Sequence, residues 1–480
     1  MPRSFPRSLR RWALPALGLA VLGGSWAISG PKHTARPAFQ RAWWYWHHPF
    51  RLSATEVRDL QQAGCARLYV HAGTMVVRDG RLALTSTQRF ESNAPCPLYA
   101  VLRIHPGAHT LLLSPEGPAQ IAKLLAGTKL PGAVQGLQLD ADIPTLRLAE
   151  YARLLEEVRR QLPAGWSLSV TALPDWLGTR DYARVCDAVD EVAPQYYGNQ
   201  WPVAGRQPPP LWESETLMRQ IGQATAGRAR AWIGLPSYGR CLVLDPRGRP
   251  IGVRHDLDPE RLLETSDWSQ ATAPSVTEPL QPAIEDSLTL RAAAESAAGS
   301  LTVGPGTSLW FQWPRVDALQ RTEQELAALR APGVVGVCYF RWPAPGEPLA
   351  LRRQPFTETR PAAPLSLFFQ QTSEGVRLVA RNHGMDSPRL PEGVQVELTG
   401  DLSEVEADGP IDYRRGDEPC SSLRANRAHF SRALLRPGSQ WIVCRFQRVS
   451  GHHSARLTWH DGAGQPQTIT AELTPERRTR

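Results

Sequence analysis

Short apolar runs alternate with helical patterns from about residue 40 to residue 343, the signature of repeated β-α units. The runs are Ala42–Trp46, Ala66–His71, Leu98–Ile104, Val134–Leu139, Ser167–Ala172, Val192–Tyr197, Ala231–Leu235 and Val335–Phe340. Ser53-Ala-Thr-Glu56 reads as a capping box opening a helix to Ala63. Ser114-Pro-Glu reads as a second helix start, with proline at the first helical position. Residues Thr145 to Leu162 are amphipathic, with Leu148, Tyr151, Leu154, Leu155 and Val158 on one face, and a further helix over Val316 to Leu329 precedes the last run. Eight strands joined by crossovers match an α/β fold, the (β/α)8 TIM barrel, whose working groups sit at the C-terminal ends of its strands. An open doubly wound sheet is the alternative, but no GxGxxG follows any strand.

The stretch 241–309 exceeds a normal loop and predicts a subdomain inserted between the seventh and eighth strands. Residues 346–364 are rich in proline and arginine and read as a linker. Beyond them come short β runs with turn signals and little helix, which predict a small all-β sandwich over 365–480. The barrel then covers 38–345, behind an N-terminal segment 1–37.

That segment changes the picture of where the chain works. An apolar stretch from Trp12 to Ile28 stands behind Arg3, Arg7, Arg10 and Arg11, the pattern of a signal peptide or signal anchor. The expectation is export, with a periplasmic body that is either released or held at the inner membrane. The net charge of +8 points the same way. Eight basic residues, up to Arg51, precede the first acid, Glu56, and the remaining 46 basic residues balance 46 acids. A nearly neutral body excludes a phosphate-tracking surface, so no nucleic-acid partner is expected. The seven cysteines show no CxxC and no metal-ligand spacing, so neither metal nor cofactor is expected. Export permits disulfides. Cys420 and Cys444, alone in the C-terminal region, form the first expected pair, and Cys65 with Cys96 the second.

The strand that carries chemistry is Val134-Gln-Gly-Leu-Gln-Leu-Asp-Ala-Asp-Ile-Pro144. Period two puts Gln138, Asp140 and Asp142 on one face and Leu137, Leu139 and Ala141 on the other. The apolar set must face the helices, so the polar set faces the lumen. Buried polar groups are hydrogen-bonded or functional. Two neighbouring carboxylates repel, so one should hold its proton more tightly, as a general acid requires.

The stretch resembles the fourth-strand motif of glycoside hydrolase family 18, the chitinase family, which reads Asp-x-x-Asp-x-Asp-x-Glu. Gly136, Asp140 and Pro144 match, Gln135 and Gln138 stand at the first two acidic positions, and Asp142 stands at the catalytic Glu. Leu168-Ser-Val-Thr-Ala-Leu-Pro174 resembles the fifth strand, and Gln195-Tyr-Tyr197 the motif bearing the active-site tyrosine. Ile233 to Arg240 and Gly336 to Phe340 resemble the seventh and eighth strands, with Phe340 at the sugar-stacking tryptophan and Trp342 beside it. The chain is also similar to the domain of unknown function 3142, which implies a fold and no established activity. The family-18 resemblance implies cleavage by the substrate's own N-acetyl group, with Asp142 as acid, Asp140 positioning the acetamide and Tyr197 donating to the oxygen.

Three readings follow: an exported glycoside hydrolase of N-acetylated polysaccharide, a glycan-binding barrel without turnover, and an envelope scaffold. Sixteen tryptophans favour a sugar-facing cleft, since their faces suit pyranose rings. Trp43 to Trp46 must alternate between lumen and helices, and Trp176 and Trp201, just past strands five and six, are the first candidates for sugar contact, with Gln138, Gln195, Phe340 and Trp342 as further substrate-binding residues. Asp175 is a weaker candidate for a second carboxylate. His47, His48 and His105 end strands at the barrel mouth, where each is more often a loop histidine than a metal ligand.

Overall fold

A computed structural model describes residues 38–473 apart from 89, 91–92, 128–132, 199–202, 204–208, 264, 266, 272–284, 345, 352, 354–355, 357–364, 385–393, 399–404, 408–410, 416–417, 420–426, 431–434, 436–439, 447–451 and 461–465. The expected signal or anchor therefore lies outside the described residues.

Eight parallel strands close on themselves: β1 (Gln40–Tyr45), β2 (Cys65–Arg78), β3 (Leu98–Ile104), β4 (Val134–Asp140), β5 (Ser167–Ala172), β6 (Glu191–Pro194), β7 (Arg230–Pro236) and β8 (Val334–Phe340). Each pairs with its neighbour in the chain, and β1 completes the ring by pairing with both β2 and β8. Among the described strands of this sheet only the short strand Arg81–Thr85 is antiparallel, folding back on the long end of β2. The protein is the α/β barrel that its sequence predicts.

Alternation along each strand divides the interior in two. Leu137, Leu139 and Ala141 join the outer core with Trp43 and Tyr45, where the helices pack. Trp44, Tyr69, Tyr99, Val101, Tyr197 and Trp232 form a separate cluster in the lumen. Gly136 shows why β4 needs a glycine there: a Cβ would come within 2.5 Å of the Tyr99 ring. The capping box forms as the sequence predicts. Ser53 Oγ accepts from Glu56 N at 3.2 Å, and Glu56 Oε2 accepts from Ser53 N at 2.9 Å, opening the helix Ala54–Gln62. The second predicted start is displaced. A turn closed by Gly117 N–H on the Ser114 carbonyl intervenes, and the helix runs Gly117–Gly127.

Between β7 and β8 stands a five-stranded antiparallel sheet with its own core around Leu290, Leu309 and Phe311. Its strands lie between Arg240 and Pro314, slightly wider than the predicted insertion. The segment read as a linker is attached in part. Leu351 N–H donates to the Ser237 carbonyl, Gly239 N–H donates to the Leu349 carbonyl, and Phe356 is buried against Trp43 and Tyr339. From Leu365 onward, antiparallel sheets of four and six strands share one apolar core, a β-sandwich. Cys444 is a buried free thiol in that core, and Cys420, its expected partner, lies outside the described residues. Cys65 and Cys96 are free thiols with sulfurs 3.4 Å apart, at the start of β2 and just before β3.

Candidate functional site

The C-terminal ends of the barrel strands frame an open cavity of about 580 Å³, within the range of small-molecule sites. Trp44 comes from β1 and Trp46 from just past it, Arg103 from β3, Asp140 from the end of β4 and Asp142 from beyond it, Thr171 from β5, Gln195 and Tyr197 from beyond β6, Phe340 from the end of β8 and Arg341 from beyond it. Tyr238 and His255 complete the wall at the base of the insertion.

Asp140 and Asp142 meet here, but not by simple alternation along one strand. β4 ends at Asp140, and Asp142 follows with φ +44°, a left-handed conformation that aspartate tolerates better than most residues. Such a departure is a local strain typical of functional positions. Arg103 links the pair: its Nη1 donates to Asp140 Oδ2 at 2.9 Å, and its Nη2 lies 3.6 Å from Asp142 Oδ2. The Thr171 hydroxyl donates to the other Asp140 oxygen at 2.9 Å. Asp140 is 3% exposed and Asp142 36%. Burial raises the carboxyl of both above the ordinary range, against the opposing charge of Arg103. The raised Asp142 thus follows from burial rather than from an ionised Asp140, the cause the sequence suggested.

Tyr197 is 9% exposed, and its hydroxyl is buried with no hydrogen-bond partner among the described residues. Burial holds the phenol far above its usual titration, so it remains a donor. Its ring stacks on Phe340 at 5.5 Å and 18°, with Trp44 and Tyr238 edge-on. Trp46 packs on Phe340 and on His71. The result is an aromatic pocket around two carboxyls and a partnerless donor.

Several expected contacts fall elsewhere. Gln138 is fully buried below the cavity, accepting from Trp44 Nε1 at 2.6 Å and donating to Ser169 Oγ at 3.0 Å, so it supports the site instead of lining it. Trp176 is core: a 3-10 turn tucks its ring against Tyr151, and Nε1 donates to the Ile143 carbonyl. Trp342 is core as well, edge-on to Trp43 and covered by Arg353. Alternation would have kept Trp342 on the lumen face with Phe340, but β8 ends at Phe340 and the chain beyond it turns Trp342 toward the helices. Trp201 lies outside the described residues. Asp175 accepts from the Thr145 hydroxyl on the exposed surface and does not line the cavity. His47 bonds the Trp342 carbonyl, His105 accepts from Gly107 N–H, and His48 pairs with His71 at 2.7 Å. Among the described residues no group of three or more His, Cys, Asp or Glu is placed to hold a metal ion.

Sequence reasoning missed Arg103, His255, Tyr238 and Arg341. Arg103 had a signal: on Leu98–Ile104 it shares the lumen face with Tyr99 and Val101, the sole charge in that strand. The other three follow strand ends, where period two no longer applies.

Residues 94–258 match the family described as domain of unknown function 3142. No curated protein matches the chain. Among solved structures, the spore cortex-lytic enzyme SleL of Bacillus cereus is similar at 14% identity and TM-score 0.43, over 67% of this chain and 75% of that one. A chitinase from Chromobacterium violaceum is similar at 14% identity and TM-score 0.40, over 63% of this chain and 94% of that one. A chitinase from Bacillus thuringiensis is similar at 9% identity and TM-score 0.42, over 91% of this chain and 85% of that one. Likenesses this distant carry no argument about chemistry. Residues 94–258 thus match that family's model, and they lie within a chain that folds as an eight-stranded parallel barrel.

Proposed function

We propose that the barrel binds an N-acetylated glycan in the cavity at its C-terminal mouth and cleaves it with Asp142 as the general acid. One observation carries this reading: a half-buried carboxyl with a raised pKa, a second carboxyl and a buried partnerless hydroxyl converge among aromatic rings. The fourth-strand resemblance at Gly136, Asp140 and Pro144 supports it. Asp142 gives its proton to the glycosidic oxygen as the bond to the anomeric carbon breaks. The substrate's acetamide oxygen bonds that carbon, Asp140 accepts from the acetamide N–H, and Tyr197 donates to the acetamide oxygen. Water then opens the intermediate and returns a proton to Asp142. The aromatic faces of Trp46 and Phe340 hold the sugar.

Turnover of a chromogenic N-acetylglucosaminide, with binding followed by tryptophan fluorescence, tests the assignment. General acid–base groups contribute about 100- to 10,000-fold in rate. Asp142→Asn should lose turnover on that scale while still quenching fluorescence on binding. Asp142→Glu lengthens the side chain by one bond, roughly 1.5 Å, and should raise activity if reach limits the wild type. An active wild type indifferent to Asp142→Asn sinks the proposal.

A second reading, glycan binding without turnover, has one observation in its favour. Arg103 reaches both carboxyls, and each contact favours the ionised form that cannot donate a proton. Binding without turnover in the wild type and in Asp142→Glu would decide for it. Export belongs to the same proposal and rests on the basic and apolar pattern before Arg36. A reporter fused after Arg51 that works only in the cytoplasm would overturn it.

A further inference from the structure

The cavity wall at the base of the insertion is chemically unlike the wall that holds the acid pair. Tyr238, His255 and Arg341 meet there, with the Tyr238 and His255 rings 5.4 Å apart. Arg341 uses one edge of its guanidinium on Glu347, which backs it from outside the cavity, and its Nε is buried without a partner among the described residues. Burial raises the Tyr238 phenol, so its hydroxyl is a donor. His255 Nδ1 lies 3.1 Å from the Gly239 carbonyl and must donate to it, which turns Nε2 of the neutral ring into an acceptor. Burial lowers the ring's pKa below the ordinary histidine range, aided by the charges of Arg341 and Arg240, against the hydrogen bond to the Gly239 carbonyl and a smaller pull from Asp256. The Arg341 guanidinium, paired with Glu347, still lines the cavity beside the Tyr238 hydroxyl and the His255 ring, so this wall offers hydrogen-bond donors to an anion.

We propose that Tyr238, His255 and Arg341 form a subsite for a carboxylate carried by the glycan, so that the protein prefers an acidic N-acetylated polysaccharide to a neutral one. This rests on the glycan reading above and names its substrate class. Arginine suits the planar carboxylate, and charge-assisted hydrogen bonds are about twice as strong as neutral ones. A singly charged group fits better than a doubly charged phosphate, because Asp140 and Asp142 share the cavity. An anion beside His255 favours the imidazolium, so acidic ligands bind with proton uptake and neutral ligands do not.

Three tetramers separate the outcomes: neutral N-acetylglucosamine, the same chain with a lactyl ether carboxylate on alternate sugars, and N-acetylglucosamine alternating with glucuronate. Calorimetric titration in two buffers of different ionisation enthalpy reads both affinity and proton uptake. One acidic tetramer should bind about tenfold more tightly than the neutral one, a difference of about 1.4 kcal/mol, and which of the two does so identifies the source of the carboxylate. Arg341→Gln should bring the affinities together. His255→Gln, whose amide can still donate to the Gly239 carbonyl, should abolish the proton uptake and keeps the test open if Arg341→Gln fails to fold. Equal binding of neutral and acidic tetramers, or an acidic preference that survives Arg341→Gln, overturns the subsite and leaves the glycan reading standing. Binding of none of the three overturns both.

Discussion

The two ends of the barrel lumen both hold carboxyls and arginines, and they use them differently. At the N-terminal end Glu191 is fully buried at the start of β6. One oxygen takes Arg67 and the Tyr69 hydroxyl, and the other takes Arg230 at 2.8 Å. The Arg67 guanidinium also lies 4.2 Å from the centre of the Tyr99 ring, so the lumen floor is plugged by stacked and paired groups. At the C-terminal end Asp142 has one distant arginine contact, Tyr197 has a buried hydroxyl without a partner among the described residues, and the walls enclose open space. A buried carboxylate with both oxygens engaged closes a fold, whereas polar groups left partly unengaged beside a cavity leave room for a ligand.

Breaking the floor should have the largest effect. Glu191→Gln keeps the shape but leaves the Arg67 and Arg230 guanidinium groups facing a neutral amide. Removing one partner of a buried ion pair costs about 3–5 kcal/mol, and the exposed position of Arg230 draws this variant toward the lower figure. Urea unfolding followed by tryptophan fluorescence measures it. A loss under about 1 kcal/mol, comparable to a surface pair, would erase the distinction between floor and mouth.

Much of this division was legible before any coordinates. Parallel strands covered on both faces read as apolar runs, so all eight showed themselves, and a polar residue inside such a run is conspicuous. Gln138 and Asp140 stood out for that reason, and their lumen-facing side followed from Leu137 and Leu139. Alternation also required Trp43 and Trp44 to part company. The phase of a strand ceases to count once the strand ends. Trp176 follows β5 by four residues, and a 3-10 turn rotates it into the core. Asp142 reaches Arg103 only through a left-handed residue that no periodicity encodes. The wall of Tyr238, His255 and Arg341 joins residues far apart in the chain, so no local pattern announced it.

A smaller effect, of opposite sign, belongs to the mouth. The Tyr197 hydroxyl is buried without a partner among the described residues, and leaving a polar group unsatisfied costs about 1–3 kcal/mol. Tyr197→Phe removes the group with little change in volume and should raise stability by about 1 kcal/mol while weakening glycan binding. Thermal unfolding and fluorescence titration measure the two arms. A variant that loses stability would mean that the hydroxyl bonds structurally in solution, and Tyr197 would then belong with the floor.

The smallest effect is a pH dependence, and its sign separates the two ends most directly. Burial raises the carboxyl of Asp142 in the folded protein, with Arg103 opposing. An unfolded aspartate titrates near 3.9, so the folded state binds this proton more tightly than the unfolded state. The stability linked to Asp142 is therefore fully present below about pH 3.9 and is lost as pH rises through the raised folded value. Asp142→Asn cannot ionise and escapes that loss. Relative to wild type, its denaturation midpoint should be higher at pH 7, and the advantage should shrink as pH falls toward 4. Turnover should follow the same proton, declining as pH rises and Asp142 ionises. The opposite trend, an Asn variant that is weaker at pH 7 and recovers parity in acid, would mean that Arg103 holds Asp142 ionised. The mouth would then be a second structural ion cluster like the one at Glu191, and Asp142 could not serve as the acid.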